Sequence, residues 1–187
     1  MNRISIAIAT LAGAAVAAPL LAGSDHEEVA VALYAIGRTG ITVEKALAQA
    51  ESAVPGIAYE YELEDDDDQL YHEFKIMDLA NETRHKLRIA VKDGALEKEQ
   101  EARNCGVVCR DDDVLAARAL KESGYSLGKA LADNPSTGQQ LLEEAEVELK
   151  RGVRYIKLEW VGPDGERDQL IDIDSGQTIP SLSSAVD

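Results

Sequence analysis

The chain is poor in the residues from which thick cores and metal or nucleotide sites are built. Its 187 residues include one Trp, one Phe, two Cys and three His, and aromatics make up 4% of it. So few large rings suit two modest cores better than one thick one. Basic residues are also scarce, 19 against 35 acidic, which gives a formal charge of -16. A chain this acidic should be soluble and should repel nucleic acid. Three signatures are missing as well: there is no H-E-x-x-H, no G-x-S-x-G and no phosphate-binding glycine loop. Carboxylates are plentiful, but abundance alone identifies no acid/base pair.

Long apolar runs are absent beyond the N-terminus, so no later stretch approaches the ~20 residues of a membrane helix. The N-terminus itself, MNRISIAIATLAGAAVA, places Arg3 before an apolar run from Ile4 to Val16 and ends in Ala15-Val16-Ala17. This predicts a signal peptide over residues 1–17 and a product free in the periplasm or outside the cell. A second possible cut lies near Leu20 to Ser24, where Ser24 stands in place of a lipid-bearing cysteine, so no lipid anchor is expected. Cleavage after Ala17 removes Arg3, leaving 18 basic against 35 acidic residues, or -17.

Against itself at an offset of 84, the chain matches GITVEKALA (Gly40 to Ala48) with GYSLGKALA (Gly124 to Ala132), five of nine positions being identical. Each copy opens on an acidic helix start, Asp25 to Glu28 or Asp111 to Asp113, where carboxylates suit the positive end of a helix. Thr42 and Ser126 are candidate N-caps for a second helix after the chain-reversing Gly40 and Gly124. Asn134-Pro135 should cut that helix short in the second copy. Alternating residues then predict three strands per copy. In the first copy these carry Ile57 to Leu63, Leu70 to Ile76 and His85 to Val91. In the second they carry Ala145 to Leu149, Ile156 to Trp160 and Ile171 with Ile173. The expected fold is α+β: two tandem repeats, 25–100 and 111–180, each helix-helix followed by a three-stranded antiparallel meander packed on helix. Residues 101–110 form the linker.

The helix ending in Ala53-Val-Pro-Gly56, the acidic alternating strand Tyr59 to Glu64 and the closing strand Leu170 to Ile179 together resemble the PepSY family. In that family small bacterial domains occur in secreted proteins and in the propeptides of thermolysin-type metallopeptidases. The first copy ends differently, with Lys92-Asp93-Gly94 at the closing turn, and the second lacks Pro-Gly after its helix. The resemblance covers most of residues 25–179. It implies a non-enzymatic exported module that binds a protein partner and restrains or chaperones a peptidase. It implies no catalytic residue and no cofactor.

Four candidate features follow from the residues. Cys105 and Cys109 are the only cysteines; export favours a local disulfide between them, since residues four apart on a helical turn lie about 6 Å apart. A redox pair would normally have two intervening residues, and a metal site would need two further ligands. Lys75, Arg84, Lys86 and Arg88 project from the sheet face away from the core among Glu60, Glu62 and Glu73. They either pair across strands or form a locally basic patch for a partner. The matching face of the second copy carries Glu146, Glu148, Lys157, Glu159 and Asp172. His72 and His85 fall on the apolar side of their strands. If Asn81-Glu82 is the hairpin loop, they sit six residues apart, roughly 20 Å, and cannot share an ion. Asp65 to Asp68 form a hairpin loop whose counterpart is Lys150-Arg151-Gly152. Leu70 and Ile76 replace the Gly and Glu of an EF-hand, so a cation-binding role is the alternative reading and would be weak. A thiol oxidoreductase is the third.

Overall fold

A computed structural model of the chain describes residues 26–102, 111–136, 139–163 and 165–180; the predicted signal peptide and both cysteines lie outside them. Helices α1 (His26–Thr39) and α2 (Val43–Ala53) precede strands β1 (Ile57–Asp66), β2 (Gln69–Asp78), β3 (Thr83–Ala90) and β4 (Leu96–Ala102). The same order then recurs: α3 (Asp112–Ser123), α4 (Leu127–Asp133), β5 (Leu141–Lys150), β6 (Val153–Gly162), β7 (Gly165–Asp172) and β8 (Thr178–Ile179). The architecture is α+β, but each half holds four strands where the alternation predicted three. All eight join in one antiparallel sheet, ordered β4-β3-β2-β1-β5-β6-β7-β8. The junction is the β1–β5 pair, in which Tyr61 lies opposite Ala145.

Local chemistry sets the element ends. Asp111 caps α3 by accepting from the Asp113 N–H at 3.1 Å, and Ser126 caps α4 by accepting from Lys129 N–H at 3.1 Å. Thr42 stands at the N-cap of α2 without such a bond. Asp67 and Asp68 (φ 51 and 59) form the β1–β2 turn, and Arg151 and Gly152 (φ 55 and 79) form the β5–β6 turn. Positive φ at both central residues matches the right-handed twist of a hairpin. The acidic run is therefore half turn and half strand end.

The turn after β3 has the geometry of the turn after β7 despite different residues. Gly94 N–H donates to the Ala90 carbonyl at 2.8 Å and Gly176 N–H to the Asp172 carbonyl at 2.7 Å. Ala90 N–H reaches the Ala95 carbonyl, as Asp172 N–H reaches the Gln177 carbonyl, both at 2.9 Å. Both turns place glycine at φ 72, a left-handed conformation that other residues adopt only with strain. Each then returns the chain as a further strand. In the second half this splits the predicted closing strand Leu170 to Ile179 into β7 and β8.

The helices share one hydrophobic cluster with one face of the sheet, instead of forming a core per half. Ala46, Leu47, Ala50, Ala117 and Leu120 belong to it, with Tyr61, Phe74, Leu87, Ile156 and Leu158. The first helix of each half reaches strands of the other: α1 lies against β5 and β6, and α3 against β1 and β2 as well as β5 of its own half. Small alanines on both helices permit this close approach.

Candidate functional site

The sheet face turned away from the helices carries the four predicted basic residues, and each is met by carboxylates. Lys75 pairs with Glu60. Lys86 reaches Glu73 at 2.8 Å. Arg84 bridges Glu101 at 2.5 Å and Asp113, in the first turn of α3, at 3.1 Å. Arg88 contacts Asp66 at 2.9 Å and Glu64 at 3.2 Å, and its guanidinium stacks 4.1 Å over the Tyr71 ring. Cross-strand pairing thus holds all four cations in place.

Pairing of β1 with β5 adds a feature that neither half contains alone. Glu73 lies opposite Glu62, Glu62 opposite Glu144, and Glu144 opposite Glu159. Four glutamates therefore stand side by side across β2, β1, β5 and β6. In the next row, Lys75, Glu60, Glu146 and Lys157 follow one another. Like charges directly opposite destabilise a sheet, and the crowding is visible in the acidities. Burial, reinforced by Glu64, raises the Glu73 carboxyl to about 7 even beside Lys86. Burial, reinforced by Glu144 and Glu148, raises Glu146 to about 7. Burial also raises Glu62 and Glu144. Glu148 moves the other way, because Lys150 and the Tyr155 hydroxyl, which donates at 2.8 Å, favour its charged form over the cost of burial.

The two histidines are buried and separate. The β2–β3 loop holds four residues, Leu79 to Glu82, because Asp78 binds the Ala80 and Asn81 N–H groups at 2.9 and 3.2 Å. His72 therefore lies opposite Ile89, and His85 opposite Ile76, where a two-residue loop at Asn81-Glu82 would have set Val91 and Asp78. Four residues of strand, roughly 13 Å, separate them. His72 Nε2 is 3.0 Å from the Ile41 carbonyl and its Nδ1 is 3.1 Å from the Tyr61 hydroxyl. A carbonyl only accepts, so Nε2 donates and Nδ1 accepts from the tyrosine. Burial lowers the basicity of both histidines. Among the described residues no group of three or more His, Cys, Asp or Glu side chains could hold a metal ion, and no helix is long and apolar enough to cross a membrane.

Sequence reasoning found the cations but missed β4, whose residues from Leu96 to Glu101 are all exposed. Its alternation is between Glu97, Glu99 and Glu101 on one side and Lys98 and Gln100 on the other, so it carries no apolar period. The charge alternation was the available signal, since edge strands are commonly marked by charge.

An antiparallel sheet lined on one face by helices, with charged side chains on the other, defines an α+β module. Residues 40–100 match the family model described as peptidase propeptide and YPEB domain, or PepSY. The matched segment runs from the loop before α2 through most of β4. No curated protein matches the chain. A crystal structure of a candidate lipoprotein from Clostridium difficile 630 is similar at 13% identity and a TM-score of 0.40, covering 73% of this chain and 88% of that one.

Proposed function

We propose that the chain is an exported, non-catalytic protein-binding module whose partner is a peptidase. The match of residues 40–100 to a family described by peptidase propeptides carries this reading. The predicted signal peptide supports export. On this reading the second half is a diverged copy of the first. The strands support that: Ile57 to Leu141 and Gln69 to Val153 are both steps of 84 positions, the offset of the sequence repeat. From Thr83 to Gly165 the step is 82, because the four-residue β2–β3 loop has a two-residue counterpart.

Lys75, Arg84, Lys86 and Arg88 are the residues proposed to receive an acidic surface of the partner. Their present carboxylate partners hold them extended on the open face, where incoming carboxylates would share them. The test is co-purification of the full chain with exported peptidases, together with assay of the peptidase activity recovered. Wild type should retain and restrain a peptidase, and the variant K75E/R84E/K86E/R88E should release it. A variant that retains the peptidase moves the interface elsewhere, and a wild-type chain that binds none refutes the reading.

A further inference from the structure

The two edges of the sheet are unequal. β8 is two residues long and offers almost no template for another strand. β4 runs for seven residues and pairs with β3 on one side, and among the described residues nothing pairs with its other side. Along that side alternate N–H and C=O groups face water, which is how a sheet edge accepts an added strand.

The side chains decide which strand fits. Glu97, Glu99 and Glu101 lie opposite Arg88, Lys86 and Arg84, so they stand on the face away from the helices. Arg88 at 3.9 Å and Arg84 at 2.5 Å steady the first and third from the β3 side. Across an antiparallel pair, directly opposed residues share a face. If a second copy joined through this edge with its helices on the same side, every register would set glutamate against glutamate, as in Glu99 against its own counterpart. Self-pairing is therefore repelled. A strand with a cation at every second position instead meets each carboxylate with an opposite charge, while small polar residues between them face Lys98 and Gln100.

Resting on the reading of the chain as a binding module, the geometry points to β4 as the capture site for an extended, alternately basic segment of the partner protein. The net charge of -16 draws such a segment in, and the backbone of β4 fixes its register.

Charges on an edge also deter aggregation, and a direct binding measurement separates the two roles. The probe is a labelled heptapeptide alternating threonine and lysine, compared with its threonine–glutamate counterpart, by fluorescence anisotropy on the full chain. The lysine peptide should bind at least tenfold tighter. Backbone N-methylation at alternate residues should abolish binding in one phase and spare it in the other, because only every second N–H of an added strand faces β4. E97K/E99K/E101K should invert the peptide preference. E99K alone, with an unchanged circular dichroism spectrum, should weaken lysine-peptide binding severalfold. Equal loss in both methylation phases, an unchanged preference in the variants, or no binding at all would overturn the capture site. If E97K/E99K/E101K still co-purifies with the peptidase, the edge inference falls while the module reading stands; if the wild type retains none, the module reading falls first.

Discussion

Glu146→Gln should stabilise the protein at alkaline pH and leave it nearly unchanged in acid. Glu146 sits on β5 opposite Glu60 on one side and Lys157 on the other, and Lys157 is itself paired with Glu159. Burial, then Glu144 and Glu148, lift its carboxyl from the usual 4.5 to about 7. The folded state thus holds this proton more tightly than the unfolded chain does. The associated stability is complete below pH ~4.5 and is lost as pH rises through about 7. A rise from 4.5 to about 7 corresponds to at most ~3.4 kcal/mol. Partial solvent screening reduces the effect to about 1–2 kcal/mol. The introduced amide removes the charge, keeps the side-chain length and can still donate to Glu148. Melting followed by circular dichroism at pH 4, 6 and 8 should show no difference at pH 4. At pH 8 the variant should melt about 2–8 °C higher. A variant that melts lower than wild type at pH 8, or by an equal margin at all three values, would refute like-charge crowding on this face.

Three further outcomes follow from local geometry. Gly56→Ala should cost more than ~3 kcal/mol in urea unfolding, because a Cβ there would stand 2.7 Å from the Met77 carbonyl oxygen and 2.8 Å from Ile76 Cγ2, at φ +138. Tyr61→Phe should cost ~1–3 kcal/mol by leaving His72 Nδ1 without its donor, and the burial-lowered basicity of His72 should keep its ring signals neutral by NMR below the usual 6.5. Stability owed to that neutral ring is present above about pH 6.5 and is lost as pH falls through the lowered value. Ser126→Ala should cost ~1 kcal/mol, whereas Thr42→Ala should cost markedly less in the same melts, since Thr42 makes no side-chain cap bond.

Periodic apolar residues made most of the elements legible. Leu70, His72, Phe74 and Ile76 alternate in sequence, and the last three are buried together in β2. The hairpin at Asp67-Asp68 was legible from its aspartates, and Gly40 and Gly124 marked the helix ends. What failed were features without an apolar period or fixed by distant partners. β4 pairs with β3 and its residues from Leu96 to Glu101 are exposed, so LEKEQEA reads as loop until β3 is beside it. The His85 register slipped because Asp78 gathers a longer loop around its carboxylate than two residues require. A bulge between Ala58 and Glu60 buries Ala58 and Tyr59 together, which strict alternation cannot express. The four basic residues were correctly placed on the open face, but their carboxylate partners lie on β1, β2, β4 and α3 and were visible only in part.

The glutamate row also bears on how the halves depend on each other. Residues 40–100 contain β1, yet β1 takes its second neighbour from β5 and a covering helix from α3. Tyr61, 1% exposed, approaches the Leu142 carbonyl at 3.4 Å across that junction and bonds to His72 behind it. The family-matched segment therefore completes its core with residues from the second half. The two halves differ most at the two outer edges of the sheet, away from the β1–β5 junction. There the first half keeps seven residues of β4 while the second keeps two of β8. Packing from both halves fixes the centre, so on the proposed binding role a substitution at the outer edges should alter partner contacts with less loss of stability than one at the β1–β5 junction.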